Sequence, residues 1–244
     1  MPLVYIVILN WNNCRDTKEC LVSIKKIKYA NFHTILVDNA SVDNSVQMVK
    51  EEFPEVELII NQKNLGFAQG NNIGIKLALE RKADYIFILN NDTVVTENVI
   101  DNLVNFAQIY GASTILAPKV YYYDKPKVIN SLGTTLNWFR LRPNLEYCQQ
   151  NDDGQFAESR KAQVLIGCAL LFSASLIKKI GLFDESFYIL HEDADLCLRN
   201  IKNKGVNITV PSAFIYHKSS AKLKTLPALT SYYSIRNFLY LACR

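Results

Sequence analysis

The sequence predicts an α/β fold with a mostly parallel central sheet and helices on both faces. Three observations lead there. Over the first half, short apolar runs alternate with segments of helical periodicity, the pattern of repeated strand–helix units. The first apolar run is unbroken from Leu3 to Leu9, as in a strand covered on both sides. A chain of 244 residues, 49% hydrophobic and 20% charged, has the size and composition to bury a full core, which excludes a disordered polymer.

Each element follows from local pattern. After the strand Leu3–Leu9, Asp16 stands as an N-cap with Glu19 three residues on, a capping-box arrangement, and Cys20, Ile24 and Ile27 share one helix face. Thr34–Val37 reads as the second strand. Val46, Val49 and Phe53 mark a helix stopped by Pro54. Val56–Ile60 is a third strand, Ile73 to Leu79 lies in a third helix, and Tyr85–Leu89 is a fourth strand. Thr96 is expected to cap a helix that Gly111 ends. Beyond about residue 120 the alternation loosens. Val128–Leu132 and Val164–Phe172 are strand-like, Gln149–Ser159 reads as a mobile polar loop, and a helix over Asp193–Asn203 is closed by Gly205 before a strand at Asn207–Val210. No internal repeat and no linker rich in Pro, Gly or Ser divides the chain, so one domain is expected.

Several classes are excluded. A net charge of +4 without a Lys/Arg block is too weak for nucleic acid, though it suits a protein that holds a diphosphate. The six cysteines show neither C-x-x-C nor zinc spacing and read as reduced thiols of a cytosolic protein, several of them buried. No basic n-region or cleavage site opens the chain, and its first apolar run is too short to span a bilayer.

The polar residues after the strands carry the functional signal. Strand one ends in Asn10-Trp11-Asn12, strand two in Asp38-Asn39 and strand four in Asn90-Asn91-Asp92. Each alone is ordinary turn chemistry, but three on one rim favour a ligand, because open α/β sheets bind outside the carboxyl ends of their strands. Neither G-x-G-x-x-G nor G-x-x-x-x-G-K-[ST] is present, so a nucleotide must be held by another geometry, its base near Asp38 and its phosphates near Asp92. A divalent cation, Mg²⁺ or Mn²⁺, would bridge the diphosphate to that carboxylate.

The ordered set VILNWNN, ILVDNASVDNS, NLGFAQGNNIG, FILNNDT and LHEDADLCLR resembles a family 2 glycosyltransferase of GT-A fold, from about residue 3 to His217. The resemblance implies a nucleotide-sugar-binding half over about 1–118 and an acceptor-binding half over about 119–244. It places Asn10 and Trp11 along the nucleoside, Asp38 on the base edge with Asn39 beside it, and Gly66 and Asn71 of the third motif at the donor. Asn71 stands where many members carry Arg, and Asn90-Asn91-Asp92 keeps only the last carboxylate of the D-x-D type motif. Asp92 would then hold the cation with diphosphate oxygens, water and the late His217, which also reads as an ordinary hydrogen-bonded surface histidine. This variant motif is similar to rhamnosyltransferase-like bacterial members, and implies dTDP-rhamnose or a UDP-sugar as donor in cell-surface polysaccharide or glycolipid synthesis.

The second half is expected to carry the chemistry. His191-Glu192-Asp193-Ala194-Asp195 precedes a helix whose apolar face is Ala194, Leu198 and Ile201. Acids also gather at helix N-termini for the dipole alone. By resemblance, Asp193 is the general base of an inverting transfer, Glu192 orients the acceptor, and Gly167-Cys168 is the acceptor-side element, unless it serves only tight strand packing. Near the end, Lys218, Lys222 and Lys224 precede the aromatic and apolar residues from Tyr232 to Leu241. These fit a membrane surface at the cytoplasmic face, where lipid-linked acceptors lie; a helix packing on the core or on a second copy fits them as well. Two rivals remain: a sugar nucleotidyltransferase, whose glycine-rich loop after strand one is missing, and a non-catalytic nucleotide-binding protein, which has no need of both Asp92 and Asp193.

Overall fold

The computed structural model describes residues 1–139, 142–219 and 227–243; Lys222 and Lys224 lie outside them. In chain order the donor-side elements are β1 (Val4–Asn10), α1 (Cys14–Ile24), β2 (Phe32–Asp38), α2 (Ser45–Glu52), β3 (Glu57–Ile60), α3 (Gly66–Glu80) and β4 (Tyr85–Asn90). There follow β5 (Thr93–Val95), α4 (Val99–Tyr110), β6 (Thr114–Tyr122), β7 (Lys125–Ser131), β8 (Thr135–Asn137), β9 (Arg142–Asn144) and β10 (Arg160–Lys161). The last are β11 (Ala169–Ser173), α5 (Ala174–Ile180), α6 (Glu192–Lys202), β12 (Val206–His217) and α7 (Pro227–Ala242).

Among the described residues one sheet has the order β10-β12-β6-β11-β4-β1-β2-β3, with β5 on β12 and β7 on β6. The parallel arrangement holds through β3-β2-β1-β4 and returns between β6 and β12, while β11 enters antiparallel between β4 and β6. Side chains of a strand alternate between faces, so Val4, Ile6 and Ile8 join a core with α1, α2 and α4, while Tyr5 and Val7 join another with α3, α5, α6 and α7. Helices therefore cover both faces, as the unbroken first apolar run requires.

The structure corrects several boundaries. Asp16 does not cap α1. The helix starts at Cys14, whose N–H donates to Asp43 Oδ2 at 3.0 Å, while Asp16 and Glu19 accept from Lys218 Nζ at 2.7 and 2.5 Å. Thr96 likewise precedes the cap of α4: its hydroxyl donates to the Phe214 carbonyl at 2.9 Å, and Asn98 is the capping residue. Gly111 does end that helix, with a φ of 83°. Helix α3 begins at Gly66, well before the apolar positions that signalled it, because its first turns lie against the sheet by close approach. A Cβ on Gly70 would stand 2.5 Å from Leu9 Cδ1, and one on Gly74 2.4 Å from Val7 Cγ1. Strand β11 is shorter than expected and β12 longer, running past Val210 through a register shift to His217.

The stretch Gln149–Ser159 is tethered rather than free. Lys119, itself buried, donates from Nζ to Asp152 Oδ2 at 2.5 Å and to the Phe156 carbonyl at 3.0 Å, and Tyr121 donates to the same carboxylate oxygen at 2.5 Å. Burial works against the Asp152 charge, yet these partners hold its carboxyl down at about 2. All six cysteines are free thiols, and Cys20, Cys168 and Cys197 are buried. No helix of the described residues is long and apolar enough to cross a membrane. Helix α7 packs Phe238 and Leu241 into the core and leaves Tyr232, Ile235 and Leu239 exposed, so core packing accounts for one side of that segment.

Candidate functional site

Parallel register aligns the strand ends: Asn10 lies opposite Asp38, and Leu9 opposite Asn90. A cavity of about 220 Å³ opens there, lined by Trp11, Asn39, Gly66, Asn90, Asn91 and Asp92, with Tyr188, Ile189 and Leu229 closing it from the second half. Six predicted donor residues thus meet at one surface, the half-exposed Trp11 indole among them. Asn39 is fixed by its amide, which donates to the Gly66 carbonyl at 3.0 Å and accepts from Asn61 Nδ2 at 2.8 Å. Gly66 has a φ of 80°, and a Cβ there would stand 2.5 Å from the Tyr188 ring, so only glycine fits.

Asn10 and Asp38, both wholly buried, stand behind this wall rather than among the residues that line the cavity. Asp38 is wholly buried and accepts from Asn10 Nδ2, the Ser41 N–H and the Ser41 hydroxyl, each at 2.7 Å. Asn10 Oδ1 in turn accepts from Thr17 Oγ1 and Asn91 Nδ2, both at 2.8 Å. The carboxylate therefore sets the loop after β2, and Asn10 transmits its position to the cavity-lining Asn91. Asn71 also misses both cavities: its amide donates to the Phe67 carbonyl at 3.0 Å within α3. The adjacent Asn72 fastens α3 to the second half, donating to the Phe183 carbonyl at 2.9 Å and accepting from its N–H at 3.1 Å.

Pairing of β5 with β12 sets His217 opposite Thr93 and so beside Asp92. Both side chains are buried, with His217 Nε2 3.2 Å from Asp92 Oδ1, and neither imidazole nitrogen has an aligned hydrogen-bond partner. A carboxylate oxygen and an imidazole nitrogen side by side, with Asp92 in the wall of the cavity, are a donor set that suits a divalent cation. Among the described residues no group of three or more metal-binding side chains occurs.

A second cavity of about 230 Å³ lies on the other side of residues 188–194. Asn130, Leu136 and Leu145 line it from one side and Ile166, Glu192 and Asp193 from the other. Asp193 Oδ2 accepts the Gly167 N–H and its Oδ1 the Ala194 N–H, both at 2.7 Å. Burial pushes the Asp193 carboxyl up, opposed by the Gly167 N–H and the nearby His191. Burial, then Asp193 beside it, pushes the Glu192 carboxyl well up. A carboxylate whose proton affinity is raised, fixed at a cavity wall, is suited to take a proton from a hydroxyl. Gly167 thus serves the site through its N–H. Cys168 does not line either cavity; its thiol is buried in the core and its carbonyl accepts from the Asn90 N–H at 2.9 Å, which corrects its placement at the acceptor.

Sequence reading missed Ser41, Thr17, Asn72, Tyr188, Ile189 and Leu229. Ser41 and Asn72 lie inside quoted motifs, so their hydrogen-bonding side chains were a visible signal. Tyr188, Ile189 and Leu229 come from irregular backbone and a distant helix, and nothing local marks them.

The family model described as Glycosyl transferase family 2 matches residues 5–181. Glycosyltransferase GlyG of Streptococcus pneumoniae serotype 4 is 32% identical over 126 residues, 50% of this chain and 40% of that protein. dTDP-rhamnosyl transferase RfbF of Shigella flexneri is 24% identical over 248 residues, 96% of this chain and 78% of that protein. The crystal structure of GalNAc-T7 with UDP, GalNAc and Mn²⁺ superposes with a TM-score of 0.72 at 16% identity, covering 89% of this chain and 44% of that one. At that identity it speaks for the fold, which is GT-A. The chain spans less than half of GlyG and of GalNAc-T7.

Proposed function

The chain belongs to glycosyl transferase family 2, and on that premise we propose that it is an inverting glycosyltransferase moving a sugar from a nucleoside-diphosphate donor to an acceptor hydroxyl. The carrying observation is the pair of cavities on either side of residues 188–194, with Asp92 and His217 at one and the Asp193 carboxyl at the other. One sheet runs through both halves, which supports reading residues 1–244 as a single domain.

In this reading Trp11 and Asn39 flank the nucleoside, and Asn10 and Asp38 hold the loop that shapes its pocket. Asp92 and His217 would hold Mg²⁺ or Mn²⁺, which when bound would supply positive charge to stabilise the departing diphosphate. Asp193 accepts the proton as the acceptor oxygen bonds to the anomeric carbon; the bond from that carbon to phosphate breaks, the nucleoside diphosphate leaves, and configuration inverts. Glu192, whose carboxyl is pushed towards its neutral form, offers a hydrogen bond that orients the acceptor. The similarity to RfbF supports dTDP-rhamnose as donor, with a UDP-sugar as the alternative, and a glycan or lipid-linked acceptor at the cytoplasmic face in cell-surface polysaccharide synthesis.

The test is a thermal-shift screen with UDP, dTDP and GDP, each with and without Mn²⁺ or Mg²⁺, since a ligand of the native state raises the melting temperature. A nucleotide is expected to stabilise the protein more with metal, and Asp92→Ala or His217→Ala to remove the metal-dependent part. An unchanged metal dependence in both variants would overturn the cation assignment; no shift with any nucleotide would overturn the donor reading.

A further inference from the structure

Residues 188–194 form the partition between the two cavities, 188 and 189 lining one and 190–194 the other, and the backbone at their start is unusual. Tyr188, Leu190 and His191 take φ values of 58°, 70° and 70°, in the left-handed region that side chains other than glycine enter at a cost. Such a backbone persists only where its surroundings over-determine it. Four successive carbonyls show how. Tyr188 O accepts the Phe67 and Ala68 N–H groups at 2.6 and 3.3 Å, so the first turn of the donor-side helix α3 is terminated by the partition. The carbonyls of Phe187, Ile189 and Leu190 all converge on one side chain, Asn237 of α7, whose Nδ2 lies 2.8, 2.8 and 2.7 Å from them, its two N–H groups shared among the three.

Asn237 is an expensive residue for that place. It is wholly buried beside Phe238 in an apolar helix, and an amide there is tolerated only when fully bonded. Its orientation is forced. Arg236 can only donate, and its Nη1 reaches both Asn237 Oδ1 at 2.7 Å and the Ser186 carbonyl at 2.5 Å, which turns the Asn237 N–H groups towards the partition. The same helix brings Leu229 to the donor cavity.

We propose that Asn237 is a positioning residue of the transfer site: its amide fixes the partition so that occupancy of the donor cavity is felt at Glu192 and Asp193. This rests on the glycosyltransferase reading above. The coupling is physical and short. A nucleotide packing on Tyr188 and Ile189 presses on the segment whose next residues carry the two carboxyls, and Asn237 makes that segment move as a unit instead of yielding.

The experiment follows amide hydrogen exchange of residues 186–194, with and without UDP and Mn²⁺, in the parent protein, Asn237→Ala, the milder Asn237→Ser, and Leu241→Ala. Leu241→Ala trims the core on the same helix and leaves the amide in place. In the parent, UDP with Mn²⁺ is expected to slow exchange on both sides of the partition. In the Asn237 variants the ligand-free segment should exchange about tenfold faster. UDP should still protect residues 188–189 but no longer residues 190–194. Leu241→Ala should lower the melting temperature and keep the protection pattern, which separates positioning from loss of stability. Retained protection of 190–194 in Asn237→Ser, or equal loss in Leu241→Ala, overturns the proposal. Failure of the parent to bind UDP, dTDP or GDP overturns the donor reading itself, and is recognised because only the ligand-free comparison then responds to Asn237.

Discussion

Gly167 and Asp193 touch. The Gly167 N–H lies 2.7 Å from Asp193 Oδ2, and a Cβ on Gly167 would stand 3.1 Å from Asp193 Cβ and 3.2 Å from Oδ2. Gly167→Ala must therefore push the carboxylate by a few tenths of an ångström. Displacement by a full ångström costs about a hundredfold, so a loss on the order of tenfold in kcat is expected, with donor KM unchanged. Steady-state kinetics decide: a rise in donor KM at constant kcat would mean that the contact serves donor binding.

Asp193→Asn keeps the shape and removes the basic oxygen. Transfer should fall by roughly a hundred to ten thousand fold while UDP binding and folding persist. The parent should also show a pH limb. Burial raises the Asp193 carboxyl against the Gly167 N–H and His191, so the base is unprotonated only above the usual carboxylate range of about 4, and kcat should climb with pH above it. The variant should show no such limb in its residual rate. Near-parent transfer would shift the base to Asp195 or Glu192.

Asp38→Ala separates two roles. A carboxylate that only holds the loop through Asn10 and Ser41 should, when removed, cost roughly 1–3 kcal/mol in urea denaturation. It should weaken UDP, dTDP and GDP alike. Selective loss of the uracil and thymine nucleotides by calorimetry would restore Asp38 to direct reading of the base.

Glu192→Gln should stabilise the fold at neutral pH. The folded Glu192 carboxyl binds its proton more tightly than the unfolded one, through burial and the facing Asp193. Between the unfolded value, about 4.3, and the raised folded value, the native state holds the extra proton, and stability falls as pH rises. Gln has no such proton to lose. Urea midpoints should match near pH 4 and favour the variant at pH 8, with transfer reduced; equal midpoints at both pH values would count against a buried, neutral-leaning acid.

The donor side was legible because its residues end regular elements. A strand readable by its apolar run announces where Trp11, Asn39 and Asp92 must emerge, and parallel register does the rest. The rim on which Asp38 lies was legible, but its depth was not, since that depends on Ser41 turning back over it. Gly167 and Cys168 are adjacent in the turn before β11, yet only the Gly167 N–H reaches Asp193, while the Cys168 thiol packs in the core. Helix α3 escaped its true start because close helix–sheet approach through Gly70 and Gly74 leaves no apolar period to read. The boundary-crossing contacts, Asn72 to Phe183 and Asn237 to the partition, span 111 and up to 50 residues, and no local pattern encodes such pairings.

The second cavity draws its walls from two parts of the fold. Glu192 and Asp193 sit on α6, whereas Leu136 and Pro143 belong to β8 and β9, a separate two-stranded ribbon. Peripheral ribbons tolerate sequence change that a central sheet does not. A substitution at Leu136 or Pro143 therefore reshapes one wall of this cavity while the two carboxyls stay where α6 puts them.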